Sequence, residues 1–457
     1  MLTFQDFERG GVALIPQIVT EHQKCDLYTT ALTANEYDHQ KNTTIYNYAQ
    51  MLFTLTGAAV VDYTATNNRI ASNFFNRLNT QRNTYLLGNG VTFGDDTDRL
   101  KKALGSKFDT DMKRCAYKAL IHGLAFGFWD YNKLYTFPVT EFAPLWDEDT
   151  GALRAGLRFW RIDPNKPVTV YLYEEDGFTV FRGKDYGSVV LAQEKRGYKQ
   201  LVRANKADGA IVAGYENYGA LPIVPFWGSE LHQSTLVGMR NAIDSFDLIQ
   251  SGFANDLSDC TQVYWILENY NGMTDSDIKR MRDRMKFNHI VSADTMSGGS
   301  IKPYTVEIPF EARKTYLEHI RDRIYEDFGA LDVHTVAAGD TNDHIDAAYQ
   351  PLDEEADDFE FQCIEFIQQV CKLAGFDDVK PTFKRNRISN QTEQTEMILS
   401  ASEWLDTETI LKKLPFVTVD EVAKIMKNLD ARALTGLSSM EALEEAIKAL
   451  NKAGDQA

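Results

Sequence analysis

The densest gathering of groups able to do chemistry is Asp340-x-x-Asp343-His344-x-Asp346, three carboxylates and an imidazole in one short stretch. Carboxylate oxygens and a neutral imidazole together suit a divalent ion, and such an ion would serve a metal-dependent hydrolase or nuclease. The spacing matches no EF-hand, and Gly339 and Asn342 equally suit a plain turn, so a solvated polar loop is the simpler reading. A second cluster, Lys279, Arg280, Arg282, Arg284 and Lys286, could meet phosphate or an acidic partner. Asp277 and Asp283 temper it, and a solvated helix face explains it as well. His122 interrupts an apolar run and reads as a hydrogen-bonded core residue rather than a catalytic base.

Other chemistries lack their residues. The chain has no GxxxxGK[ST], HExxH or GxSxG and no paired Cys/His ligands. We therefore assign no catalytic residue, metal or cofactor from the sequence. The five cysteines, Cys25, Cys115, Cys260, Cys363 and Cys371, are scattered and never spaced as CxxC, which suits a reducing cytoplasm. The apolar stretch at 51–61 is too short to span a bilayer, and no secretory signal is visible.

The net charge of −18 is unevenly spread: 332–380 holds 13 acids against 2 lysines, 2 − 13 = −11. Affinity for a nucleic-acid backbone comes from Lys and Arg releasing counterions, so if this chain meets nucleic acid at all it should let it pass rather than hold it.

Globular composition over 457 residues allows about three domains, and the periods predict an α+β, predominantly helical chain. Helices are expected over 68–91, with Ile70, Phe74, Leu78 and Tyr85 on one face, and over 111–129. The segment 153–219 alternates as strands, with hairpin turns at Asp176-Gly177 and Asp208-Gly209. An apolar strand within 219–230 follows. Helical spacing returns with Leu236, Met239, Ile243, Phe246, Ile249, Phe253 and Leu257, one stripe about six turns long. After an insert at 261–309, with a strand near 263–267 and a short basic helix near 277–286, a second long helix is expected over 310–331. Leu317, Ile320, Ile324, Phe328 and Leu331 form its stripe. Residues 333–348 read as a loop and 353–374 as a third helix whose acids suit its N-terminus. The tail carries capping boxes at Thr418/Glu421 and Ser438/Glu441.

This order of parts resembles the portal, or head-to-tail connector, proteins of tailed bacteriophages. The resemblance rests on NRIASNFFNRLNTQRNTYLLGNGV, LIHGLAFGF, the strand-rich segment, PIVPF, AIDSFDLIQSGFANDLSD and the C-terminal FKRNRISNQTEQTEMILSASEWLDTETILKKLPFVTVDEV. It covers about 68–430 and leaves residues 1–67 without a role.

The resemblance implies a ring-forming portal fold: wing at 1–235, stem helices at 236–260 and 310–331, and clip at 261–309. A tunnel loop at 332–349, a long wing helix at 350–380 and a crown at 381–457 complete it. It implies a ring, commonly of twelve copies, at one capsid vertex, conducting double-stranded DNA during packaging and ejection. Expected partners are further copies of the chain, terminase large subunit, a head-completion or adaptor protein, and major capsid and scaffolding proteins, with no membrane. The chain would reside in the virion and, during assembly, in the host cytoplasm. Ile243, Phe246, Phe253, Leu317, Ile320 and Ile324 would pack the ring. His334, Thr335, Asp340, Asn342, Asp343 and His344 would face DNA, and the basic cluster at 279–286 would dock partners.

Overall fold

In the computed structural model the described residues are 2–53, 57–63, 65–204, 211–260, 264–268, 300–304, 310–333, 342–387, 391–401 and 406–414, with isolated positions at 274, 276–277, 279–280, 404, 422 and 425–426. They fall into two compact units, Met1–Ala330 with Glu354–Arg385, and Leu331–Asp353 with Asn386–Ala457.

The larger unit combines a five-stranded sheet, a three-stranded sheet, several two-stranded ribbons, short helices and a cluster of longer ones. A five-stranded antiparallel sheet runs through Phe142–Trp146, Leu153–Trp160, Val168–Glu174, Gly177–Gly183 and Val190–Arg196, each strand beside the next. Its alternation is the one expected, and Glu174 pairs with Gly177 across the predicted Asp176-Gly177 turn. One face buries Ala143, Leu145, Leu157, Phe159, Val170 and Phe181 against Phe7, Ile15, Ile18 and Val19 of the N-terminal helices Phe4–Gly10 and Ile15–Lys24. Lys199–Ala204 and Ile211–Glu216 pair antiparallel, while the Asp208-Gly209 turn expected between them lies outside the described residues.

A three-stranded sheet places Leu124–Asp130 between Lys133–Pro138 and Ile223–Trp227. Here the expected 111–129 helix is corrected: it spans Phe108–His122 and ends at Gly123, whose φ of 83° is left-handed. A Cβ at Gly123 would sit 2.6 Å from the Gln233 carbonyl carbon, so glycine alone permits both the turn and the close chain passage. Beyond it, Leu-Ala-Phe-Gly-Phe-Trp is apolar at nearly every position, which periodicity cannot tell from a buried helix. The core between this sheet and helix Phe108–His122 includes Met112, Ala119, Trp129, Phe226, Phe359, Phe366 and Ile367.

The 68–91 helix is likewise shorter, Phe74–Leu87. Ile70 precedes it, partly exposed, and 68–73 is irregular backbone. The third long helix is longer than expected, Asn342–Leu373, with Pro351 inside it. Ile345, Tyr349 and Leu352 are buried at helical spacing, and they carry the helix back through what read as the end of a loop. The smaller unit also holds helices Gln391–Ser400 and Thr407–Lys413, the second capped by Asp406, and a small core of Leu411, Leu414 and Val422. The expected caps at Thr418 and Ser438 lie outside the described residues.

Candidate functional site

Two long helices, Leu236–Cys260 and Phe310–Phe328, lie against each other in antiparallel sense. The first has the predicted ends; the second stops three residues short of Leu331. Ser234 sets the start of the first, its Oγ donating to the Ile121 carbonyl (2.6 Å) and accepting from Leu236 N (3.1 Å). At this root Leu236, Met239, Ile243, Ile320, Ile324 and Phe328 are all buried with Phe75, Leu78 and Ile121. Ile243, Ile320 and Ile324 thus hold the pair to its own body. Phe246 packs edge-on against Phe74, with ring centroids 5.0 Å apart.

Farther out the pair is more open. Phe253 meets Phe310 at 5.5 Å, and Arg313 pairs with Asp256. Leu317 is half-buried, while Leu248, Leu257, Phe310 and Tyr316 are each 40–49% exposed. The other faces of the second helix carry ion pairs such as Arg323–Asp327 and Lys314–Glu318. Exposed pairs of this kind contribute little to stability.

A polar seam on the first helix went unread in the sequence. Asp247, Ser251 and Asn255 recur every four residues, all buried, beside an apolar stripe that drew attention away from them. Asp247 Oδ1 accepts from Ser72 N (2.9 Å), Ser251 Oγ from Ile70 N (3.0 Å) and Asn255 Oδ1 from Asn68 N (2.6 Å). Four helical residues rise about 6 Å and two extended residues about 6.6 Å, so alternate amides of one chain meet every fourth side chain of the other. Asp247 Oδ2 also accepts from Asn42 Nδ2 (2.9 Å), and Asp244 accepts from Thr44 Oγ1 (2.9 Å) and the Tyr37 hydroxyl. Burial raises the Asp247 pKa despite these donors. Burial and the Asp244 carboxylate push Tyr37 up to about 12. Polar residues every fourth position, D-x-x-x-S-x-x-x-N, were the available signal.

At the end of the second helix, the buried guanidinium of Arg82 donates to the Phe328 carbonyl (2.6 Å), pairs with Glu355 (3.0 Å) and lies 4.3 Å over the Phe328 ring. That carbonyl is among those a helix leaves unpaired, at the negative end of its dipole, so a cation there satisfies both. Burial lowers the Arg82 pKa, opposed by Glu355 and Asp358, yet an arginine stays charged. A cavity of about 520 Å³ opens beside it, lined by Gln233, Asp327, Glu354 and Asp358 among others. His122 is buried nearby in the same unit, its Nε2 3.0 Å from Asn35 Oδ1; burial, then Lys118, lowers its pKa to about 3. It is a neutral core group.

The remaining predicted residues are dispersed. His334, Thr335 and Asp340 lie outside the described residues. Asn342, Asp343 and His344 open a helix rather than sit in a loop, correcting the 332–349 reading from residue 342 on. Asp346 accepts from Arg387 (3.0 Å), which also pairs with Asp353. Among the described residues no group of three His, Cys, Asp or Glu could hold a metal. Between the long helices, Tyr264–Glu268 pairs antiparallel with Ser300–Tyr304, a strand the sequence reading missed. Lys279 and Arg280 are exposed and helical, while Arg282, Arg284 and Lys286 lie outside the described residues.

The described chain is thus a body of helices and small sheets that carries an antiparallel helix pair, with a two-stranded ribbon between the pair in sequence. The chain belongs to the phage portal protein family, SPP1 Gp6-like, whose model matches residues 21–434. It is 24% identical over 420 residues to the portal protein of Bacillus phage SPP1, covering 82% of this chain and 79% of that protein. It is 29% identical over 217 residues to the portal protein of Clostridium phage phiCD119, 46% of this chain and 48% of that one. A solved structure described as the neck of a native GTA particle computed with C12 symmetry aligns with TM-score 0.37 and 9% identity, over 75% of this chain and 89% of that chain. Family membership makes the chain a virion component of a tailed phage. No helix among the described residues is long and apolar enough to cross a membrane.

Proposed function

We propose that copies of this chain close into a ring, of about twelve subunits as in similar assemblies, at one capsid vertex, and that double-stranded DNA passes through it during packaging and ejection. The observation that carries this reading is the helix pair, anchored in its own subunit at the root and apolar but open farther out. A side chain such as Leu257 or Phe310, exposed on the single chain, finds its cover against a neighbouring copy, alongside Phe246, Phe253 and Leu317. The acidic balance suits a conduit, because carboxylates facing phosphates keep a moving duplex from adhering.

The ribbon region between the helices is the docking platform for terminase large subunit and later for a head-completion or adaptor protein. Lys279 and Arg280, with Arg282, Arg284 and Lys286, supply its positive charge. The segment after the second helix, with His334, Thr335, Asp340, Asn342, Asp343 and His344, approaches the DNA. Major capsid and scaffolding proteins contact the outside of the ring. Native mass measurement with negative-stain imaging of purified protein tests the reading: an annulus of about twelve copies is expected, and a stable monomer at micromolar concentration overturns it.

A further inference from the structure

The helix Asn342–Leu373 runs unbroken through Pro351. A proline at that point has no N–H to give the Ala347 carbonyl, and its ring crowds the same carbonyl. An interior proline therefore bends or breaks a helix unless something else holds the two sides in line. Arg387 touches both sides. Its Nη1 donates to Asp346 Oδ1 (3.0 Å), before the proline, and its Nη2 donates to Asp353 Oδ2, after it. Between the two, the guanidinium lies 5.7 Å over the Tyr349 ring. Residues 346, 349 and 353 fall on one helix face, and the two carboxylates stand two turns apart, about 10.5 Å of rise. Arg385 grips two carboxylates in the same way, Asp357 and Glu360, where the helix has no proline.

We infer that Arg387 is a releasable splint for a hinge at Pro351: engaged, it carries the helix through the proline, and released, it lets the turns on either side part. The guanidinium suits the task, since one planar group offers separate N–H donors to two acceptors in fixed directions, which an ammonium does not. Its two legs are unequal. The Asp353 side chain is 19% exposed and the Asp346 side chain 64%, so the leg before the proline is the one that salt screens. A lone pair as exposed as Arg387–Asp346 contributes little, but here the same cation also holds a sheltered carboxylate and an aromatic face, which makes it part of a network. Ile345, Tyr349 and Leu352 are buried and also hold this stretch, so the proline is the variable that separates splint from packing. The first turn of the helix carries Asn342, Asp343 and His344, and its course is set through Arg387. The splint acts within one chain and does not depend on ring formation.

The test is hydrogen exchange on the full chain at low ionic strength, read at the backbone amides of 346–353. Arg387→Gln should speed exchange there by about fivefold or more, while Ile324 stays protected and reports that the body is folded. In a Pro351→Ala background the same Arg387→Gln change should alter exchange by less than about twofold, because the restored N–H holds the helix itself. Raising salt to about 1 M should do to the unaltered chain what the substitution does, and add little to the variant. Arg385→Gln, which removes a grip of the same kind away from the proline, should leave 346–353 unchanged. Equal acceleration by Arg387→Gln with and without Pro351, or by Arg385→Gln, would make these arginines general tethers and overturn the splint. No acceleration by Arg387→Gln would overturn it too, and would assign the helix's continuity to the packing of Ile345, Tyr349 and Leu352.

Discussion

The root and the outer part of the helix pair present one apolar stripe to two different environments. At the root, Ile243, Ile320 and Ile324 are sealed within the subunit. Outward, Leu257 continues the stripe of the first helix with a large exposed surface. Position along the pair, not residue type, decides whether an apolar group is sealed in the folded chain or left exposed on it. The root is further secured by polar groups: Ser234 at the first helix's start and Arg82 at the second helix's end. Farther out, the Asp247–Ser251–Asn255 seam binds a strap of backbone instead of core.

The contrast breaks most plainly by truncation. Ile324→Ala should cost the isolated chain about 2–5 kcal/mol in chemical denaturation, because a fully buried side chain leaves a cavity. Leu257→Ala should change the monomer by less than about 0.5 kcal/mol and act on assembly alone. Comparable losses from both would erase the distinction.

Acid should loosen the root next. The folded-state pKa of His122 lies near 3, below its ordinary 6.5, so its contribution is fully present above pH 6.5 and declines as pH falls. Between pH 6.5 and 4.5 the loss should be about 2–3 kcal/mol at 1.36 kcal/mol per unit. His122→Gln should flatten that slope; an unchanged slope would show that other groups set the acid limit. A smaller effect is expected on the seam. Ser251→Ala leaves the Ile70 amide without its acceptor, at about 1–2 kcal/mol. Hydrogen exchange should speed up at Ile70 and its seam neighbours Asn68 and Ser72 while Ile324 stays protected.

Much of this was legible. The first long helix appears with its predicted ends because six turns of apolar spacing admit one period. The Val168–Gly183 hairpin follows from alternation and an Asp-Gly turn. What misled was local ambiguity: 124–129 is apolar throughout and suits strand or helix equally, and Ile70 falls in phase with Phe74 and Leu78 although it belongs to the strap. Asp247, Ser251 and Asn255 went unread, since nothing in a linear chain announces that three backbone amides from nearly two hundred residues away will dock there.

By itself, the sequence determined that the long helices are amphipathic, that the chain is acidic and that the order of its parts is that of a portal protein, because periodicity, charge and order are properties of the linear chain. The tertiary structure decided which part of each stripe is spent internally, what the buried carboxylate and guanidinium hold, and where residues 68–72 dock. Those outcomes depend on which distant surfaces meet, and helical spacing states that a face must be covered without stating by what.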